Sequence, residues 1–198
     1  SLSYLSNIYN IQCHVWVSND ISPFRESYLK SFGANIHKLK GDLNDIYSYS
    51  SKEMKKYGIF DCNPGGNNIK INANKNIFNE LIRDLPEVDK IITCINNGTH
   101  YLGLSTAAQT YKIPVHAVFT FDKRARSISG FTSYEGRDKI EKMIEINKGS
   151  LIEANAKDIN LGSQHAKENG LVIESSSAAV VGVALNLSTT NEKTCCII

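Results

Sequence analysis

The sequence predicts an α/β protein whose parallel sheets are doubly wound, with helices on both faces of each sheet. Strand-like and helix-like segments alternate along nearly all of the 198 residues, an order typical of parallel strands joined by crossover helices. Two apolar runs, 90–95 and 115–119, flank a helix-like segment, as in one β–α–β unit. We expect two intertwined sub-domains, a small three-layer one over 1–64 and a larger one over 65–198.

The first third of the chain is predicted to alternate between strands and helices. Pro23 begins the first helix here because proline fits a first helical turn, and Gly33 ends it. Gly58 ends the next helix, whose apolar residues recur near helical spacing. The predicted elements are a strand over 13–17, a helix over 23–32, a strand over 35–40, a helix over 42–57 and a short strand over 59–62.

The stretch 63–68 is the strongest loop signal because it is rich in Asn, Gly and Pro. Its Pro-Gly-Gly segment, 64–66, is the expected crossing between the sub-domains. Further on, Asn155 is expected to cap a helix whose first turn Asp158 completes, and Gly170 ends that helix. The predicted elements are helices over 70–85, 101–111, 135–147, 156–168 and 175–187, and strands over 90–95, 115–119, 150–153 and 194–198.

Composition argues against several classes of protein. A charged fraction of 21% and a net charge of +2, without a basic run, give no sign of nucleic-acid binding. No apolar run approaches the roughly 18 residues that span a membrane, and the first residues do not resemble a signal peptide. The five cysteines show no paired spacing and lie mostly in apolar runs, so we expect buried thiols in a cytoplasmic protein.

Histidines and lysines outside residues 96–100 are not expected to form a catalytic or metal site. His14, His37 and His116 lie in strand-like runs, where packed or edge residues are expected, and none has a partner at metal-ligand spacing along the chain. Lys75 and Lys112 stand among polar residues of predicted helices. A nucleophilic lysine needs burial or a neighbouring cation to lower its pKa, so neither is expected to be catalytic.

The most informative segment is an apolar, β-branched strand that stops at small polar residues. Asn96, Asn97, Gly98, Thr99 and His100 follow it directly and lead into a helix-like segment. Backbone N–H groups and the positive end of the helix dipole at such a place attract a phosphate. These five residues are therefore the candidate phosphate site, with an ordinary strand-to-helix turn as the alternative. A nucleotide-binding domain is disfavoured because neither Gly-x-Gly-x-x-Gly nor a P-loop is present.

Two further segments lie near the predicted ends of strands. The serine-rich segment 174–177 is expected to cap the following helix through a serine hydroxyl, and 178–179 to pack tightly, with ligand contact as the alternative. The segment 122–126 carries three cations that would attract an anionic substrate; solvated surface charge is the alternative.

Four segments, in this order, resemble the fold-type II pyridoxal-phosphate enzymes, the tryptophan synthase β-like superfamily, and within it threonine synthase. The first resembles the helix after the family's substrate-binding Ser-Gly-Asn loop, and the second its Tyr-Gly-Ala turn. The third resembles the loop that cradles the cofactor phosphate, and the fourth a Glu-Pro-Ser-Ser-Ala-Ala segment. The segments are 1–5, 30–36, 95–103 and 170–179.

The resemblance implies pyridoxal 5'-phosphate as cofactor, with residues 96–100 at its phosphate, and a small-molecule amino-acid substrate. By resemblance the chemistry is elimination or replacement, and the best match is threonine synthase acting on O-phosphohomoserine. A serine/threonine dehydratase or cysteine synthase-like lyase of the same fold remains an alternative. A non-catalytic relative that keeps only the fold is another. The resemblance also implies a homodimer.

The sequence departs from the family pattern at two places. Asn72-Ala73-Asn74-Lys75 stands where threonine synthases often have Glu-Gly-Gln-Lys, and Ser175 replaces a proline. The family's Schiff-base lysine corresponds to a position before Ser1, and its pyridine-nitrogen contact to one after the last strand. We therefore expect no catalytic residue among these 198 residues and no activity of this chain by itself.

Overall fold

The computed structural model describes residues 2–62, 67–125 and 137–198. Contacts divide the chain into two compact units, Ser1–Cys62 and Asn63–Ile198. Each unit contains helices and strands, and every described strand pair is parallel. The predicted α/β class with parallel sheets is confirmed. No helix in the described part of the chain is long and apolar enough to cross a membrane.

The first unit is built on a two-stranded parallel sheet. Its elements are α1 (Leu2–Ile8), β1 (His14–Ser18), α2 (Pro23–Ser31), β2 (Asn35–Leu39) and α3 (Leu43–Tyr57). Ser22 caps α2 by accepting a hydrogen bond from the Arg25 N–H at 3.3 Å. Gly33 follows α2 with a φ of 71°, the left-handed conformation that ends many helices and that glycine adopts without strain.

The predicted short strand over 59–62 is wrong. Its first N–H, that of Ile59, donates to the Met54 carbonyl at 2.9 Å and so belongs to the end of α3. Phe60 is 65% exposed, and no described strand pairs with this run. An apolar run becomes a strand only when a neighbouring strand accepts and donates its backbone hydrogen bonds.

The second unit is built on a four-stranded parallel sheet in the order β5-β4-β3-β6. The expected crossing at 64–66 lies outside the described residues. The elements are α4 (Asn68–Asp84), β3 (Lys90–Cys94), α5 (Thr99–Ala108) with a 3-10 turn (Gln109–Tyr111), β4 (Val115–Phe119), α6 (Arg137–Ile146), β5 (Leu151–Glu153), α7 (Ala156–Glu168), α8 (Ser175–Leu187) and β6 (Thr194–Ile197).

Helices cover both faces of this sheet, as the doubly wound prediction requires. On one face Ile91 and Val115 pack with apolar residues of α4, α5 and α6. On the other face Ile92 and Val118 pack with residues of α7 and α8. Successive side chains of a strand point to opposite faces, so a strand covered on both sides must be apolar throughout. All four of these residues are fully buried.

Helices α7 and α8 cross at backbone contact through two glycines. A Cβ on Gly162 would lie 1.9 Å from the Ala178 carbonyl oxygen, and one on Gly182 would lie 1.9 Å from the Asp158 carbonyl oxygen. Asp158 completes the predicted capping box with Asn155, and its Oδ1 accepts from the Asn186 side chain at 2.8 Å. The close crossing and the cap together fix α7 against α8.

We expect Gly182→Ala to lower the free energy of unfolding by about 2 kcal/mol or more, because the new methyl group would force the two backbones apart. The measurement is chemical denaturation followed by circular dichroism. Ser163→Ala, on an exposed position of α7, is the matched control and should change the free energy by less than about 0.5 kcal/mol. Equal effects of the two substitutions would contradict the close crossing.

Candidate functional site

The candidate site lies at the carboxyl end of β3, where the order of the strands reverses. From β3 the chain continues through α5 to β4 on one side, whereas β6 pairs with β3 on the other side. In parallel α/β sheets such a reversal opens a crevice at the carboxyl ends of the strands, where ligands bind. The loop that connects β3 to α5 begins at this point. Its first N–H, of Ile95, donates to the Val118 carbonyl at 2.8 Å.

The start of α5 has no capping side chain. Asn96 and Asn97 are half-buried and Gly98 is buried, and Thr99 is only 3% exposed. Gly98 is the N-cap of α5 with a φ of 76°, and it offers no side chain to cap the helix. The N–H groups of a first helical turn have no partner within the helix. At this helix start, therefore, no N-cap side chain stands between the backbone donors and a ligand.

The His100 side chain fixes the first turn of α5 to two strands. Its Nε2 lies 3.1 Å from the Thr93 Oγ1, and that hydroxyl donates to the Ile197 carbonyl at 3.2 Å. Because the hydroxyl has one proton and gives it to Ile197, the Nε2–H must be the donor and the Nδ1 carries the lone pair. A chain of two hydrogen bonds therefore joins α5 to β3 and β6.

The charge of His100 is set by its surroundings. Burial lowers the pKa of His100 below the usual value of 6.5, because an imidazolium loses hydration when it leaves water. The ring is therefore neutral at pH 7. Its hydrogen bond to Thr93 makes the side chain a positioning group for the first turn of α5.

The residue types of the loop fit a phosphate group. A phosphate requires donors, and residues 96–100 carry backbone and side-chain donor groups and no carboxylate. The left-handed Gly98 lets the backbone approach a ligand closely. The positive end of the α5 dipole adds a favourable field for a dianion. The described geometry thus matches the phosphate of the cofactor that the sequence resemblance implies.

The cations after β4 are less available than the sequence suggests. Arg124 donates to both carboxylate oxygens of Asp122, with Nη2 at 2.7 Å from Oδ2, and its Nη1 donates to Asn160 at 3.0 Å. The hydrogen bonds from the Arg124 guanidinium and, to a smaller extent, from the Arg124 backbone N–H lower the pKa of Asp122 to about 2. The charge of Arg124 is therefore largely neutralised, Lys123 is exposed, and Arg126 lies outside the described residues.

The start of α8 differs from the expected serine cap. Glu174 is the N-cap and makes no capping hydrogen bond through its side chain, and Ser175 is the first residue of the helix. A serine could not cap here because the chain enters the helix one residue earlier. The expected tight packing is present, since Ala178 and Ala179 are fully buried. Burial, with a smaller contribution from the charge of Glu174, raises the pKa of the Cys94 thiol at the end of β3.

The structure brings the five predicted loop residues together and adds Thr93, which the sequence analysis missed. Threonine is common in strands, and only its place seven residues before His100 could have drawn attention to it. Lys112 is exposed and has a φ of 57°, and Lys75 lies in α4. In the described residues no group of three or more His, Cys, Asp or Glu side chains is placed to hold a metal ion.

Comparison with known proteins identifies a family. A family model described as "Pyridoxal-phosphate dependent enzyme" matches residues 1–198. No curated protein sequence matches the chain. Solved structures do match in fold, although at identities so low that the likeness shows the fold alone.

Three solved structures illustrate this likeness. A cysteine synthase from Entamoeba histolytica has 19% identity and a TM-score of 0.79, with 100% of this chain and 63% of that chain covered. A serine racemase from Dictyostelium discoideum has 21% identity and a TM-score of 0.75, with 100% and 70% covered. The processed form of threonine deaminase isoform 2 from Solanum lycopersicum has 11% identity and a TM-score of 0.81, with 99% and 64% covered. The chain thus spans about two thirds of the length of these structures.

We expect His100 to contribute to a loss of stability in acid. A histidine whose pKa is lowered by folding takes up a proton more readily when unfolded, so the free energy of unfolding falls as pH drops below about 6.5. His100→Gln keeps an N–H donor for Thr93 but does not titrate, so the variant should lose less stability between pH 7.5 and 5.5 than the unmodified chain.

The measurement is chemical denaturation at several pH values. His165→Gln is the control because His165 is exposed on α7, and that variant should keep the pH dependence of the unmodified chain. If His100→Gln and the unmodified chain lost the same free energy, the buried neutral state of His100 would be wrong.

Proposed function

The chain belongs to the pyridoxal-phosphate-dependent enzyme family, and on that premise we propose that loop 96–100 binds the phosphate of the cofactor. We propose further that the whole enzyme catalyses elimination or replacement on a small amino acid. One observation supports the first proposal above all. The loop lies at the reversal of strand order, and its left-handed Gly98 leaves the start of α5 without a side-chain cap.

Each part of the loop has a distinct task in this proposal. Pyridoxal phosphate, when bound, supplies an electron sink for negative charge on the α-carbon of an amino acid. The backbone N–H groups at the start of α5 hold the phosphate, and the Thr99 hydroxyl adds a donor. Gly98 leaves room for the phosphate, and His100 holds the first turn in place through Thr93. Orientation of the cofactor is the contribution of this chain.

For the reaction, we propose threonine synthase chemistry on O-phosphohomoserine, on the strength of the ordered sequence resemblance. A serine/threonine dehydratase or a cysteine synthase-like lyase is the second candidate, and it is supported by fold neighbours that include a cysteine synthase and a threonine deaminase. Both candidates use an amino acid of three or four carbons. They differ in whether phosphate or another group leaves it.

The departure at 72–75 bears on a third candidate, a relative that keeps the fold without the chemistry. Asn72 and Ala73 are exposed on α4. Asn74 packs against α5, because a Cβ on Gly103 would lie 2.5 Å from the Asn74 Cβ and 2.7 Å from the Ile71 carbonyl oxygen. In this chain Asn74 of the segment therefore serves helix packing, which supports the non-catalytic candidate.

We also propose a cytoplasmic location and a homodimer. The location is supported by the cysteines: all five lie in the described residues and none forms a disulfide, as expected for a reducing compartment. The homodimer rests on the family resemblance. Size-exclusion chromatography with light scattering would test it, and a monomer at micromolar concentration would contradict it.

We expect Gly98→Ala to weaken binding of pyridoxal phosphate to the purified chain by about ten-fold or more, because a Cβ at this φ strains the loop and takes space at the helix start. Isothermal titration calorimetry measures the affinity. Gly170→Ala is a matched control, because Gly170 has a φ of 74° and an added Cβ would have nothing within 4 Å. This substitution introduces similar backbone strain away from the loop, so the variant should bind pyridoxal phosphate with the affinity of the unmodified chain. Pyridoxal, which lacks the phosphate, should bind to both variants with equal affinity.

The three candidate functions are distinguished by the products that the full-length protein forms with pyridoxal phosphate. Threonine and inorganic phosphate from O-phosphohomoserine would support threonine synthase. A 2-oxo acid from serine or threonine would support the dehydratase and contradict threonine synthase. Cofactor binding without turnover of any of these amino acids would support the non-catalytic relative. The same protein without cofactor is the control.

A further inference from the structure

Two histidines meet across the small sheet of the first unit. The Nδ1 of His14 on β1 lies 3.0 Å from the Nε2 of His37 on β2. The ring centroids are 5.3 Å apart and the ring planes differ by 12°. The distance between the ring centroids is longer than the distance between the two nitrogens by about one radius of each ring. The two nitrogens therefore lie on the line between the centroids, and the rings meet edge to edge. One proton fills the space between the nitrogens, and one nitrogen presents a lone pair.

The register of the two strands produces this contact. His14 is opposite Asn35, and Trp16 is opposite His37. Residues two apart in a strand share a face, so these four side chains lie on one face of the sheet. The Trp16 ring lies 4.9 Å from the His37 ring at 18°. His14, Trp16 and His37 are half-buried, so solvent and small ions have access to this face.

We propose that His14 and His37 form a two-imidazole site for a late first-row divalent metal ion such as Ni²⁺, Cu²⁺ or Zn²⁺. Imidazole nitrogens bind these ions at about 2.0–2.1 Å, so two nitrogens at right angles about one ion lie roughly 2.9 Å apart. The observed separation is 3.0 Å. Each ring must turn so that its lone pair faces the ion, because in the hydrogen-bonded arrangement the two nitrogens point at each other.

Binding of the metal ion exchanges ligands and protons without oxidation or reduction. The aqua ion loses two waters and gains two nitrogen ligands. The ring proton that lay between the two nitrogens leaves for solvent, and a proton from solvent returns to the other nitrogen of the same ring. One proton leaves the ring and one returns to it, so the exchange releases no net proton. Water fills the remaining positions around the ion.

The proposed site departs from the sequence expectation that no metal is bound, for a simple reason. The two histidines are 23 positions apart, and the strand register brings them together, so no spacing along the chain could show it. An ion here would join β1 to β2. Since it binds only the folded arrangement of both strands, it would stabilise the first unit.

Trp16 allows a direct test because it is the only tryptophan in the chain. Titration of the purified chain with Ni²⁺ should quench the tryptophan fluorescence to saturation at one ion per chain, and EDTA should restore it. His14→Gln and His37→Gln should each weaken the binding by about ten-fold or more. His165→Gln, at an exposed position of α7, and Cys13→Ser, beside His14 in sequence, should leave it unchanged.

Two results would overturn the proposal: quenching that does not saturate by 1 mM Ni²⁺, or midpoints that are equal in His14→Gln, His37→Gln and the unmodified chain. A second measurement does not depend on the folding of the variants. Electron paramagnetic resonance of the unmodified chain with one equivalent of Cu²⁺ should show hyperfine coupling to two imidazole nitrogens. Coupling to none or to one would also overturn the proposal.

Discussion

The burial of β3 on both faces is the constraint on which the second unit depends. A strand without access to water must be apolar on both faces, and any polar group it does carry must find a partner inside the protein. Ile91 and Ile92 meet the first requirement. Thr93 is the exception, and it is fully buried. Its hydroxyl accepts from His100 and donates to Ile197, so the need to satisfy one buried threonine also fixes the start of α5 and the neighbouring strand β6.

Local chemistry made much of the fold predictable. The strand at 115–119 and the helices at 156–168 and 175–187 have the bounds that the sequence indicates, because Pro114 and the Asn155 capping box are signals within a few residues of the element. The turn from β3 into α5 was predictable for the same reason. What failed depended on distant partners. The run 59–62 has strand-like residues but no neighbouring strand, and the pairing of His100 with Thr93 requires the packing of α5 on β3.

The glycines of this chain act in two physically different ways. Gly98 and Gly170 adopt left-handed backbone, where the absence of a side chain removes conformational strain. Gly162 and Gly182 have ordinary helical backbone, and there the absence of a side chain lets two helices touch. Only the first kind sits at loop positions that sequence analysis recognises as helix ends. The second kind lies within helices, where glycine lowers helix propensity and its presence makes sense only when the neighbouring helix is known.

The histidines show how the hydrogen-bond partner decides what a side chain can do. The Nε2–H of His100 donates to Thr93, and burial lowers the pKa of the ring, so this side chain holds the start of α5 in place. His14 and His37 also form a hydrogen bond, but with each other and on a half-buried face. When a metal ion replaces the proton between His14 and His37, both nitrogens become ligands, and no other group loses a hydrogen-bond partner. The same residue type therefore fixes a helix start where its partner is a strand hydroxyl, and offers a ligand pair where its partner is a second imidazole.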